Sequence, residues 1–259
     1  MGFISAEILK KHSITYFLET IFKVLPEESQ LIGSGAGKMT LKQEPVIFSR
    51  RGIFQNAALI VSHKNEIKVG VENGWEYLEG PFLVSSSNKN ILKSLNFKNA
   101  FDVYKNIVEK DSGLTFTDDN FFDIAKSYPL GIVKFNKEIV VRDPIALDEN
   151  NNLILVGDVE QNATINILKG EKSRLIASAK TAIVKVLNKT DKDFENVLVF
   201  DCISRSIFLK DEYKQEILNI KNEIPDKKLF GALTLGEISN SGNEYINFYN
   251  KTCVVGVLC

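Results

Sequence analysis

The sequence has 259 residues, 44% of them hydrophobic, with 32 basic against 33 acidic side chains and a net charge of −1. That is enough apolar material for one large domain or two modest ones, and no basic stripe marks the chain for nucleic acid. Three cysteines (Cys202, Cys253, Cys259) make neither a disulfide framework nor a paired-cysteine zinc site. No run approaches the roughly 18 apolar residues of a membrane span, and the start lacks a secretory layout, so a cytoplasmic protein with no membrane partner is expected.

Ile14, Phe17, Leu18, Ile21, Phe22 and Leu25 recur on one helical face, closed by Pro26. Gly33, Gly35 and Gly37 follow, suggesting a phosphate loop, but the spacing refuses it. Ile32 stands where the first P-loop glycine belongs, Met39 follows Lys38, and Lys38 occupies the third glycine of a dinucleotide fingerprint. A tight turn with close strand approach is the expected use. Two β-rich runs (46–50 and 56–62) complete a helix–glycine-turn–strands unit. A second helix, with Tyr213, Ile217, Ile220 and Ile224 on one face, leads into Leu229 to Ile238 and two more β-rich runs. The pattern predicts an internal duplication, two related lobes facing a shared cleft. The second helix follows a strong strand, 196–202; the first has only Met1 to Ala6 before it, so the first lobe is expected to be shortened at its N-terminus.

Ile67, Val69 and Val71 alternate with polar residues before Asn73-Gly74, a hairpin-turn signal, and Trp75 is equally suited to a core plug or a pocket wall. A helix over 97–110 ends in a polar stretch, where the boundary between lobes is placed: 1–112 and 113–259. Three β-rich runs (130–135, 138–143, 152–156), a strand over 163–168 and a helix from Leu175 to Leu187 lead to the alternation strand 196–202, helix 211–224, strand 229–235. Such crossovers in a mixed sheet place ligands beyond the carboxyl ends of the strands, which brings the segment after Phe200 next to Gly236. Val254, Val255, Val257 and Leu258 read as a central strand covered on both faces. The fold class is therefore α/β with mixed sheets.

Several polar residues fall at these strand ends. Arg205 suits bidentate capture of a carboxylate, or a structural role on a helix. Glu237, Asn250 and Thr252 suit turn chemistry or a pocket lining, and Arg142 beside Asp143 suits an ion pair or an anion clamp. Cys202 would need a base to act as a nucleophile, yet the chain offers only His12 and His63, in no Cys-His signature, so no enzyme is expected. Two histidines without a shared short spacing make no metal-ligand set.

Six partial motifs also share one resemblance. They are the glycine turn, Gly74-Trp75 with Gly80-Pro81, Val140-Val141-Arg142-Asp143, Gly157-Asp158-Val159, Phe200-Asp201-Cys202-x-x-Arg205, and Gly236-Glu237-Ile238 with Phe248-Tyr249-Asn250-Lys251-Thr252. In this order they resemble the FIST proteins, with Tyr249 and Lys251 where the family usually carries His and Gln. The resemblance implies an N-terminal FIST lobe and a C-terminal FIST lobe forming a sensory, signal-transducing module. It further implies a small ligand, an amino acid or similar acid, held between lobes near Arg205, Cys202, Glu237, Asn250, Thr252, Arg142 and Trp75. Output would pass through a partner protein such as a kinase or chemoreceptor. No cofactor is expected. Haem-based gas sensing is the alternative, although Asn73 occupies the family's usual histidine position, and a Cys-dependent enzyme is the weaker one.

Overall fold

The chain opens on a parallel strand–helix–strand crossover that it uses again later. Strand β1 (Gly2–Ser5) is joined through α1 (Ile14–Val24) to β2 (Ile32–Ala36), parallel to β1 in register Gly2↔Gly33. Its first strand has four residues against seven in the later crossover, so the expected strand is short but present. Next come a separate hairpin of β3 (Ile47–Ser49) and β4 (Gly52–Phe54), then β5 (Ala58–Ile60), antiparallel to β1, and β6 (Ile67–Glu72). The computed structural model describes residues 2–5, 14–40, 44–134, 138–240 and 245–259.

The middle of the chain is built differently. It comprises β7 (Glu76–Asn88), β8 (Ile91–Leu95), β9 (Lys98–Asn99), α2 (Ala100–Ser112), α3 (Phe121–Ala125), β10 (Leu130–Val133), β11 (Ile139–Leu147), β12 (Leu153–Val156) and β13 (Thr164–Lys169). The sheet order is β12-β11-β10-β13-β7-β8-β9, and β12 also pairs with β8, so six antiparallel strands close into a ring. Closure leaves those six strands without an open edge. Val84, Leu92, Leu130, Leu153, Leu155, Ile165 and Ile167 are buried. Helix α2 is bounded by its own sequence. The Asn99 side chain accepts from the Asp102 N–H at its start, and Gly113, at φ 70°, returns its N–H to Glu109 O at its end.

The remainder is α4 (Lys172–Leu187), β14 (Asn196–Cys202), α5 (Ile203–Leu209), α6 (Tyr213–Glu223), β15 (Lys228–Thr234), β16 (Glu237–Ser239), β17 (Asn247–Tyr249) and β18 (Cys253–Leu258). Strands β14 and β15 are parallel, the second crossover, in a four-stranded sheet ordered β15-β14-β18-β6. Ala179, Ala182, Ile183 and Val186 of α4 and Ile220 of α6 pack with Val197, Val199, Val255 and Val257 on one face of that sheet. A five-stranded sheet, β17-β16-β2-β1-β5, covers its other face: Ile32 occupies the space that a side chain at Gly256 would need. Covered on both sides, Val254, Val255 and Val257 are fully buried, as the apolar run predicts. The chain passes from β15 to β16, and so from one sheet to the other, through Leu235-Gly236. Gly236 has φ 92°, and a Cβ there would overlap the Phe248 ring, so only glycine makes this corner.

The fold class is α/β with mixed sheets, as expected, but packing cuts the chain in a way the sequence halves do not. One compact unit is Met1–Gly74 with Lys172–Cys259; the other is Trp75–Glu171. Both parallel crossovers lie in the first unit, and the 112/113 boundary falls inside the second. Asn73-Gly74 is not a hairpin turn. Strand β6 pairs with β18, whereas β7 pairs with β13 and β8, so the dipeptide links the two units.

Candidate functional site

Strand β14 ends at Cys202, and α5 starts on the next residue, so Asp201 and Arg205 stand one helical turn apart at the strand tip. Both are buried, Arg205 completely. The Arg205 Nε lies 3.2 Å from Asp201 Oδ1 and donates to Glu216 Oε1 at 2.9 Å. Its Nη2 donates to the same Glu216 oxygen at 2.5 Å, to Leu175 O at 2.8 Å and to Ser178 Oγ at 3.2 Å. Its Nη1 donates to Lys251 O at 3.3 Å and to Asn73 O. All three nitrogens of the guanidinium, which carries five N–H donors, are therefore engaged by protein. The expected role of Arg205, a fork onto a ligand carboxylate, is taken by internal partners instead.

The charge balance of this group follows from burial. Burial works against the Arg205 charge, but Glu216 and Asp201 outweigh it and hold the guanidinium protonated. Burial pushes Glu216 up to about 8, against the attraction of Arg205. Burial likewise raises Asp201, opposed by Arg205 and by a hydrogen bond from the Tyr213 hydroxyl. Asp201, Glu216 and Cys253 bring potential metal-ligand atoms within 4.8 Å of one another. Arg205 is already the cation there, and burial pushes the Cys253 thiol well up, away from the thiolate a metal would need.

A second polar group lies at the tips of the same strands, organised by Glu237. This residue is fully buried, opposite Ser34 on β2 and Tyr249 on β17. Its Oε1 accepts from Thr234 Oγ1 at 2.7 Å, and its Oε2 accepts from the Thr252 N–H at 3.3 Å; the Cys202 thiol also hydrogen-bonds it. Burial raises the Glu237 carboxyl well above the usual range, the Thr234 bond working the other way. Thr252 Oγ1 donates to Asn250 O at 2.7 Å, and Asn250 Nδ2 donates to Tyr249 O at 2.9 Å. Two buried atoms close to this chain have no hydrogen-bond partner: Asn250 Oδ1 and Ser34 Oγ. Cys202, Glu237, Asn250 and Thr252 are thus brought together as expected, next to the Gly236 corner.

Arg142 and Trp75 belong to the other unit. Arg142 is buried on β11, where its Nε donates to Asp158 O at 2.8 Å and its Nη1 to Val141 O at 3.1 Å. Trp75 is buried. Among the haem candidates, His63 is exposed in a loop and accepts from the Asn65 N–H at 3.1 Å, while His12 lies outside the described residues.

Sequence reasoning missed Glu216, the strongest partner of Arg205. The signal was present. Tyr213, Glu216 and Ile220 recur at three and four, so Glu216 shares the buried face with Ile220, while Ile217 is only half-buried. An acidic residue on an apolar helical face calls for a buried cation. Ser34 was visible only as part of a glycine run.

Comparison with known families matches residues 7–98 to the FIST N domain and residues 100–240 to the FIST C domain. No curated protein matches the chain.

Proposed function

Because the chain belongs to the FIST family of sensory, signal-transducing modules, we propose that it binds a small amino compound, an amino acid foremost, and signals through a partner protein such as a kinase or chemoreceptor. The observation that carries the reading is the pair of uncommitted buried atoms, Asn250 Oδ1 and Ser34 Oγ, beside the Glu237 group at the strand ends. A buried acceptor without a donor costs about 1–3 kcal/mol, so a ligand ammonium or amine reaching it is favoured. Open α/β sheets hold ligands at such strand ends. The ligand is recognised through its amino group rather than by Arg205, whose nitrogens are engaged by protein.

The protein acts by binding, not catalysis. Cys202 is buried and hydrogen-bonded to Glu237, an environment that supports an inert thiol. The test is thermal stabilisation of the purified protein by a panel of free amino acids and simple amines. Asn250→Ala is expected to leave the unliganded circular dichroism spectrum unchanged and to abolish the ligand-induced shift. A shift that survives the substitution removes Asn250 from the site, and no shift from any amino compound overturns the reading.

A further inference from the structure

Strand β15 is an edge of the four-stranded sheet, and its outer side is open in a way that edge strands seldom are. It pairs with β14 in unbroken register from Asn196↔Lys228 to Cys202↔Thr234. The Lys228 N–H donates to Glu195 O, across to the β14 side. Alternation in a parallel ladder then turns Lys228, Phe230, Ala232 and Thr234 toward β14, and the N–H and C=O groups of Leu229, Gly231 and Leu233 outward. Among the described residues, the outward row is taken up again only at Leu235, whose N–H donates to Gly35 O. Side chains along the edge are open as well: Phe230 is 53% and Leu233 43% exposed, and Gly231 and Ala232 are exposed with them. Proteins defend such edges with charge, proline or a bulge. Between Lys228 and Thr234, β15 has none of these.

We propose that β15 pairs antiparallel with β15 of a second copy of this chain, about a twofold axis through Gly231, doubling the four-stranded sheet. The sequence is self-complementary about that point. Gly231 meets Gly231 as a hydrogen-bonded pair, and Leu229 of each copy meets Leu233 of the other with both outward groups exchanged. On the other face, Phe230 of each copy lies over Ala232 of the other, large against small. Lys228 faces Thr234, so no like charges oppose. A twofold contact of this kind is closed and cannot propagate into a fibre. This inference is independent of the ligand reading.

The test is the mass of the full chain in solution by light scattering and sedimentation equilibrium, from micromolar to millimolar concentration, beside the variant Leu233→Pro. The Leu233 N–H points away from β14, so proline there removes an outward donor and leaves the β14 ladder intact. The expected result is a doubled mass for the native chain and a folded monomer for Leu233→Pro. Should the variant not fold, amide exchange in the native chain tests the same pairing: exchange at Leu229, Gly231 and Leu233 is expected to slow as concentration rises. A native chain monomeric throughout the range, or a dimer with unprotected β15 amides, overturns the proposal.

Discussion

The two buried polar groups at the tips of β14 and β15 differ in what is left unpaired: a carboxylate oxygen, Glu216 Oε2, in the Arg205 group, and an amide and a hydroxyl oxygen, Asn250 Oδ1 and Ser34 Oγ, around Glu237. Around Arg205, two carboxylates, three backbone carbonyls and the Ser178 hydroxyl surround one guanidinium, bridging β14, α4, α6 and the turn into β18. Around Glu237, hydrogen bonds join Thr234, Thr252, Asn250 and Cys202, yet Asn250 Oδ1 and Ser34 Oγ have no partner. A guanidinium whose three nitrogens are all engaged locks elements to one another. Neutral amide and hydroxyl oxygens left unpaired at the same depth can still take up a donor. Arg205 is therefore part of the scaffold, and the proposed ligand contact falls to Asn250.

The largest expected effect tests the scaffold side. Arg205→Met leaves Glu216 and Asp201 buried without their cation and is expected to destabilise the fold by about 3–5 kcal/mol, read from denaturant midpoints. The double change Arg205→Met with Glu216→Leu should recover a good part of that loss. If Arg205→Met is instead stable and merely blind to ligand, the assignment of roles is reversed.

Next comes the corner that places Glu237. Gly236→Ala adds a Cβ against the Phe248 ring at a positive φ and is expected to cost on the order of 1–3 kcal/mol. A neutral result in chemical denaturation would show that the corner can shift.

The pH dependence separates the two groups further. Glu216, Asp201 and Glu237 all titrate higher folded than unfolded, so the folded state binds more protons above the ordinary carboxylate range. Their contribution is full below that range and fades as pH rises, the Glu216 share being lost through about 8, so melting temperature should fall as pH rises over this interval. Glu237→Gln cannot titrate and should flatten the slope, at a cost of about 1 kcal/mol at neutral pH. A melting temperature that climbs toward pH 8 would mean that the carboxylates stay ionised.

The smallest effect comes from outside both groups. Lys180 and Glu223 form a 2.8 Å ion pair between α4 and α6, with more than half of the Lys180 side chain exposed. Lys180→Ala is expected to change stability by less than about 1 kcal/mol, and less still in high salt. A larger loss would show that helix docking, rather than the Arg205 group, holds α6 to the sheet.

Much of this was settled by the sequence itself, because it depends on local pattern. The amphipathic faces of α1 and α4, the buried run of β18, the β14–α6–β15 alternation and the Gly236-Glu237 corner follow from periodicity and from a backbone angle only glycine reaches. The meeting of Cys202, Glu237 and Thr252 followed from the crossover, which brings parallel strand ends side by side. Tertiary structure alone decided the rest. Closure of the middle strands into a ring depends on the β8–β12 pairing, between segments roughly sixty residues apart, and Asn73-Gly74 became a link rather than a hairpin for lack of a neighbouring partner. The role of Arg205 turned on acceptors from Asn73, from Leu175 and Ser178 on α4, from Glu216 and from Lys251, four separate places in the chain. A side chain's chemistry is written locally, but whether its donors are already engaged is set by what the fold packs around it.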